Sequence, residues 1–84
     1  MIHARSDYDG IQDATGHIPE DEPVFLLRSR DALAPQVVMF WAAIAKANGV
    51  APEMVRTAEN WALRMAEYNR GRTHLPDADK DVLR

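Results

Sequence analysis

Nine consecutive residues, Val37 to Ala45, are apolar, and the segment holding them is punctuated as a helix at both ends. Pro35 suits a first turn, and Asn48-Gly49 is a strong stop, with glycine supplying the left-handed residue after the helix. At 3.6 residues per turn the run covers every side of a helix for more than two turns. A helix that is apolar all round is buried all round. The chain must therefore offer this helix several partners, and it has only 84 residues to do so.

The first partner is the next segment. Pro52 opens it where a proline costs least, Glu53 favours the positive helix end, and Gly71 closes it. Val55, Ala58, Ala62 and Met65 make one apolar stripe, widened by Met54, Trp61 and Tyr68. Glu53, Arg56, Glu59, Arg64 and Arg70 fall at spacings that suit ion pairs on a solvated face. A short turn at Val50-Ala51 makes the two helices antiparallel neighbours. Asp31 is the expected N-cap of the first helix. The reading is a mainly α fold: an antiparallel helical hairpin, about 33–48 and 52–70, an irregular N-terminal arm, and one short strand at 24–28.

One helix and one arm can hardly cover the first helix. A chain of this length buries only roughly 60–65% of its unfolded surface and often relies on a partner subunit. We expect a homo-oligomer with Val37, Phe40, Trp41, Ile44 and Phe25 at the interface. The alternative is an arm that wraps the helix within the chain. Residues 1–84 read as a single domain, with 1–23 as arm or loop, 24–71 as core and 72–84 as a frayed tail.

Composition removes several classes. Cysteine is absent, which excludes disulfides and thiolate metal sites. The longest apolar run falls far short of the ~20 residues a membrane helix needs, and no secretory h-region is visible. The net charge is −3, unlike a binder of nucleic acid polymers. That charge is uneven. Residues 1–23 carry six acids against Arg5, or −5; residues 24–74 carry seven bases against four acids, or +3; the last ten carry three acids and two bases, or −1. The basic middle could hold a small anion, and the acidic arm could pair with it within or between subunits.

No catalytic constellation is legible. Ser6 and Ser29 lack a nucleophile setting, and the four glycines are scattered as turns and caps rather than grouped around a phosphate. His3, His17 and His74 lack ligand spacing and read as surface residues. Asp7, Asp9 and Asp13 resemble a calcium loop only faintly, with the glycine misplaced and Ile18 where an acid belongs. No metal or cofactor is expected. Between Pro19 and Pro23 lies the acidic triplet Glu20-Asp21-Glu22, then the apolar Val24 to Leu27, then Arg28 and Arg30. On an extended segment those two arginines share a face and could grip a phosphate or carboxylate. Bridges to Asp31 and the acidic triplet are the alternative. Tyr8 could stack on a base or anchor the arm, and Arg5 lies beside it. Trp41 and Trp61 read as core or interface anchors.

Asp7-Tyr8, Ile11-Gln12-Asp13, the stretch from Ile18 to Arg28 and Asp31, followed by Ala34-Pro35 and Trp41, resemble a family of small, mostly uncharacterised phage and prophage proteins. The resemblance covers most of residues 3–48. Gly10 and Ala14-Thr15 stand where a bulkier residue and a proline are expected. The resemblance implies a viral origin, action in the bacterial host cytosol, and stoichiometric binding in place of catalysis. Some small phage proteins capture nucleotide signals of host immunity, and others block a host protein.

The expectation is a non-enzymatic binding protein that sequesters a small nucleotide-type immune signal, with Arg28, Arg30, Tyr8 and Arg5 as ligand-binding residues. The alternative is an adaptor or inhibitor that engages a host or phage protein through the acidic arm.

Overall fold

A computed structural model describes residues 1–72; the expected frayed tail lies outside the described residues from position 73. The contacts divide these residues into two compact units, Met1–Leu26 and residues 27–72.

The first unit is built around two very short strands, β1 (Ile2–His3) and β2 (Pro23–Val24). They pair in parallel, Ile2 opposite Pro23 and His3 opposite Val24. The Ile2 N–H donates to the Glu22 carbonyl at 2.8 Å and the Ala4 N–H to the Val24 carbonyl at 3.1 Å. Both bonds take their donor from the β1 side, so nothing is asked of Pro23, which has no N–H. This corrects the expected strand at 24–28. It is shorter, begins at Pro23, and finds its partner in the same chain at a dipeptide with no readable period. Phe25 is 68% exposed.

The connection between the strands is made of turns. A 3-10 turn covers Ser6–Tyr8. Asp13 then organises the next loop. One carboxylate oxygen accepts from the Thr15 N–H and hydroxyl at 3.1 and 2.6 Å, and the other from the Ile18 N–H at 2.8 Å. These donors, the Thr15 hydroxyl foremost, hold its carboxyl below the usual carboxylate range. A left-handed Gly16, φ 73°, completes that turn.

The second unit is helical, with α1 at Ala34–Ala47 and α2 at Pro52–Asn69. Leu33, not Asp31, occupies the cap position of α1. Asp31 acts two residues earlier. Its carboxylate accepts the Leu33 N–H at 2.8 Å and its carbonyl the Ala34 N–H at 3.1 Å, so the chain winds inward before the helix begins. The end of α1 follows the glycine signal. The Val50 N–H donates to Ala45 at 3.0 Å, the Gly49 N–H to Lys46 at 3.2 Å, and Gly49 has φ 79°. Pro52 starts α2 at its first position behind an extended Ala51.

α1 and α2 pack against each other through small side chains. Ala42, Ala45 and Val55 form the buried cluster, with Ala58 against it, and Ala34, Ala62 and Met65 are buried too. Val55, Ala62 and Met65 of the stripe expected on α2 are buried with Ala58 packed beside them, whereas Met54, Trp61 and Tyr68, expected to widen it, are exposed, so Trp61 is no core anchor of the single chain. At the far end the Asn69 side-chain amide reaches the Asp31 carbonyl at 3.5 Å.

The inference that α1 is buried all round does not hold for the single chain. Alanines occupy its inner side, and Val37, Met39, Phe40, Trp41 and Ile44 remain exposed. Two helices have one mutual face, and a helix apolar on all sides leaves the rest of its surface to solvent or to another body.

Candidate functional site

Three places gather the residues that could bind something. The first is in the first unit. Arg5 donates to both Asp7 carboxylate oxygens, at 3.0 and 2.8 Å, a bidentate pair. Its guanidinium carbon also lies 5.3 Å from the centre of the Tyr8 ring. The His3 ring meets Tyr8 edge-on, with centroids 6.3 Å apart. His3 is not the surface residue expected from sequence. It is 2% exposed, and its Nε2 bonds to the Ile11 carbonyl, tying the end of β1 to the loop beyond the 3-10 turn. A groove beside it is lined by Ile2, His3, Ala4, Pro23, Val24 and Phe25. Tyr8 and Arg5 are thus brought together, and Arg5 is already engaged with Asp7.

The second place is the turn ahead of α1. The Asp31 N–H donates to the Arg28 carbonyl at 3.0 Å, closing a four-residue turn with Ser29 and Arg30 at its centre. This corrects the premise of an extended segment that aims both arginines to one face. The Asp31 side chain then accepts the Leu33 N–H, which starts the following turn. Both arginines are exposed. Arg28 makes no ion pair among the described residues, and the bridge expected from it to Asp31 or the acidic triplet is not formed there. The triplet Glu20, Asp21 and Glu22 is exposed as well, on a turn closed by the Glu22 N–H to the Pro19 carbonyl at 3.2 Å.

The third place is the outer surface of the two helices. Val37, Phe40, Trp41 and Ile44 stand at i, i+3, i+4 and i+7, one row along α1. Phe40 is 67% and Trp41 49% exposed, so Trp41 is not a core anchor of the single chain. α2 exposes aromatic residues in another manner. The Arg64 guanidinium lies over the Trp61 ring, 4.2 Å from its centre, and Arg72 over the Tyr68 ring at 4.6 Å. Aromatic residues followed by arginine at i+3 and i+4 could have revealed both pairs in the sequence. None of the ion pairs expected among Glu53, Arg56, Glu59 and Arg64 forms among the described residues; the pair that does form on α2 joins Arg70 to Glu67, at 3.4 Å and highly exposed. Such a pair contributes little.

Chemically, these places offer guanidinium groups, aromatic faces and an apolar row. No group of three or more His, Asp or Glu among the described residues could hold a metal ion, and no described helix is long and apolar enough to cross a membrane. Comparison with protein-family models, with curated proteins and with solved structures finds nothing that matches this chain.

Proposed function

We propose that this chain is a non-enzymatic, phage-type binding protein that assembles as a homo-oligomer and sequesters a small anionic, nucleotide-type ligand. The observation that carries the reading is the outward row on α1, Val37, Phe40, Trp41 and Ile44, exposed while alanines fill the inside. Taken as an antiparallel hairpin, the helices have spent their small residues on each other, and their larger apolar residues are left for another copy. The basic turn at Arg28 and Arg30 lies directly ahead of α1, in a segment where an anion is favoured by charge and by the helix end.

Isothermal calorimetry of the folded protein against a panel of cyclic dinucleotides and ADP-ribose derivatives tests this. Heat with at least one ligand is expected, and Arg28→Ala weakens binding more than Arg84→Ala does. A folded protein that gives no heat with any of them would sink the reading.

A second reading is an adaptor or inhibitor that binds a host or phage protein through the arm. The exposed Glu20-Asp21-Glu22 turn favours it. It requires salt-sensitive capture of a protein partner, abolished by neutralising the three acids.

A further inference from the structure

The exposed aromatic residues of the two helices differ in one respect. On α1, Phe40 and Trp41 carry no cation among the described residues. On α2, Trp61 and Tyr68 each carry an arginine laid over the ring, at 4.2 and 4.6 Å. A guanidinium held in this way is positioned at little further entropic cost. Its charge stays unneutralised, since neither Arg64 nor Arg72 makes an ion pair among the described residues, and Glu67 is taken by Arg70. Both arginines are exposed, and an exposed guanidinium can offer a second flat ring its face and an oxyanion its N–H edge.

Trp61 and Tyr68 are seven residues apart, two turns on one side of α2, or about 10 Å along the axis. The two rings therefore share a side of α2; Arg64 belongs to the helix, while Arg72 follows its end at Asn69 and lies over Tyr68 from the turn beyond. Each ring with its arginine makes a seat for a planar ring on top and a negative group at the side.

We propose that Trp61–Arg64 and Tyr68–Arg72 form a two-seat stacking site for a dinucleotide-type anion. A base stacks on each guanidinium, and the linking phosphates accept from the N–H edges. The inference rests on the nucleotide-binding reading above but assigns a different site from the Arg28 turn. A mononucleotide fills one seat only. A bare phosphate has nothing to stack. A long single strand is disfavoured by the net charge of −3.

The test uses tryptophan emission and calorimetry together, on the full chain in a Trp41→Phe background that leaves Trp61 as the sole indole. Cyclic di-AMP, AMP, inorganic pyrophosphate and an eight-nucleotide oligoadenylate are the probes, and circular dichroism checks that each variant is folded. Cyclic di-AMP is expected to quench Trp61, AMP to bind at least about tenfold more weakly, and pyrophosphate to leave the emission unchanged. Arg64→Gln and Arg72→Gln each lower cyclic di-AMP affinity at this site by about 10–100-fold, the range for a lost charge-assisted bond. Lys46→Ala, on α1 and outside either basic site, leaves the quenching in place. Heat of binding without quenching, insensitive to Arg64→Gln and abolished by Arg28→Ala, overturns this site while the nucleotide reading stands. Absence of both heat and quenching overturns both. Tighter binding of the oligoadenylate than of cyclic di-AMP overturns the small-ligand assignment in favour of a single-strand binder.

Discussion

Replacing Phe40 with serine should dissociate the assembly while leaving the fold of the chain intact. Phe40 is 67% exposed, so of the 150–250 Å² an aromatic side chain offers, roughly 100–170 Å² is open to a partner. At about 25 cal/mol per Å², full burial of that area is worth roughly 2.5–4 kcal/mol per copy. A symmetric contact uses the ring twice. If it covers only half of each, the loss on substitution is still about 2.5–4 kcal/mol per pair, or roughly two to three orders of magnitude in the dissociation constant. The folded chain itself should change by no more than about 0.5 kcal/mol, because the ring touches no core and serine and phenylalanine have similar helix propensity. Sedimentation velocity across a dilution series measures the first quantity and urea unfolding of the dilute protein the second. Leu63→Ser is the control, since Leu63 is 62% exposed and lies outside the α1 row. Identical dilution profiles for the wild type and Phe40→Ser would refute the reasoning, as would an equal effect from Leu63→Ser.

Three further outcomes follow from local structure. Gly49→Ala should lower stability by about 1 kcal/mol in urea unfolding, because a left-handed alanine costs roughly 1–2 kcal/mol and the stiffer unfolded chain returns part of it. Its φ is 79° and a Cβ there meets nothing within 4 Å, so a loss of several kcal/mol would mean that sterics had been misjudged. Asp13 has its carboxyl depressed in the folded chain, chiefly by the Thr15 hydroxyl and the Ile18 N–H. Its contribution is therefore present above the ordinary value near 3.8 and is lost as pH falls through the lower, folded value. A carbon-detected NMR titration of Asp13 should give a midpoint below the usual range, and a midpoint at or above it contradicts the loop described. His3→Ala removes a buried bond to Ile11, and it should loosen the 4–22 loop by about 1–3 kcal/mol. Faster amide exchange confined to the first unit is the readout, and unchanged exchange would show the bond to be idle.

The helices could be read from the sequence because their signals are local and redundant. Pro52 and the Gly49 and Gly71 stops mark ends by backbone geometry, and the Val55, Ala58, Ala62, Met65 stripe repeats often enough to be seen. What could not be read depended on non-local pairing or on short segments. Ile2–His3 is too short to show alternation, so its pairing with Pro23–Val24 had no signature. His3 is buried by a bond to Ile11, eight residues away, which spacing rules for metal ligands do not address. The Arg28–Asp31 turn was hidden because its flanks invite an extended reading, while the bond that closes it joins two backbone groups, the Asp31 N–H and the Arg28 carbonyl. On α1, periodicity described the helix correctly, but a pattern apolar on every side cannot say which side faces α2. Alanine wins that place by size, which leaves the aromatic residues outside. The stacked arginines at Arg64 and Arg72 were within reach of the sequence, had aromatic–arginine spacings been weighed alongside acid–base ones.

Native mass spectrometry of freshly purified protein tests the central claim most directly, because subunit number and retained ligand are read from one spectrum. The account predicts a mass at a whole multiple of the 9.5 kDa chain, greater than one, with added mass of a nucleotide-type ligand that is lost on denaturation. A bare monomer across the concentration range would contradict it.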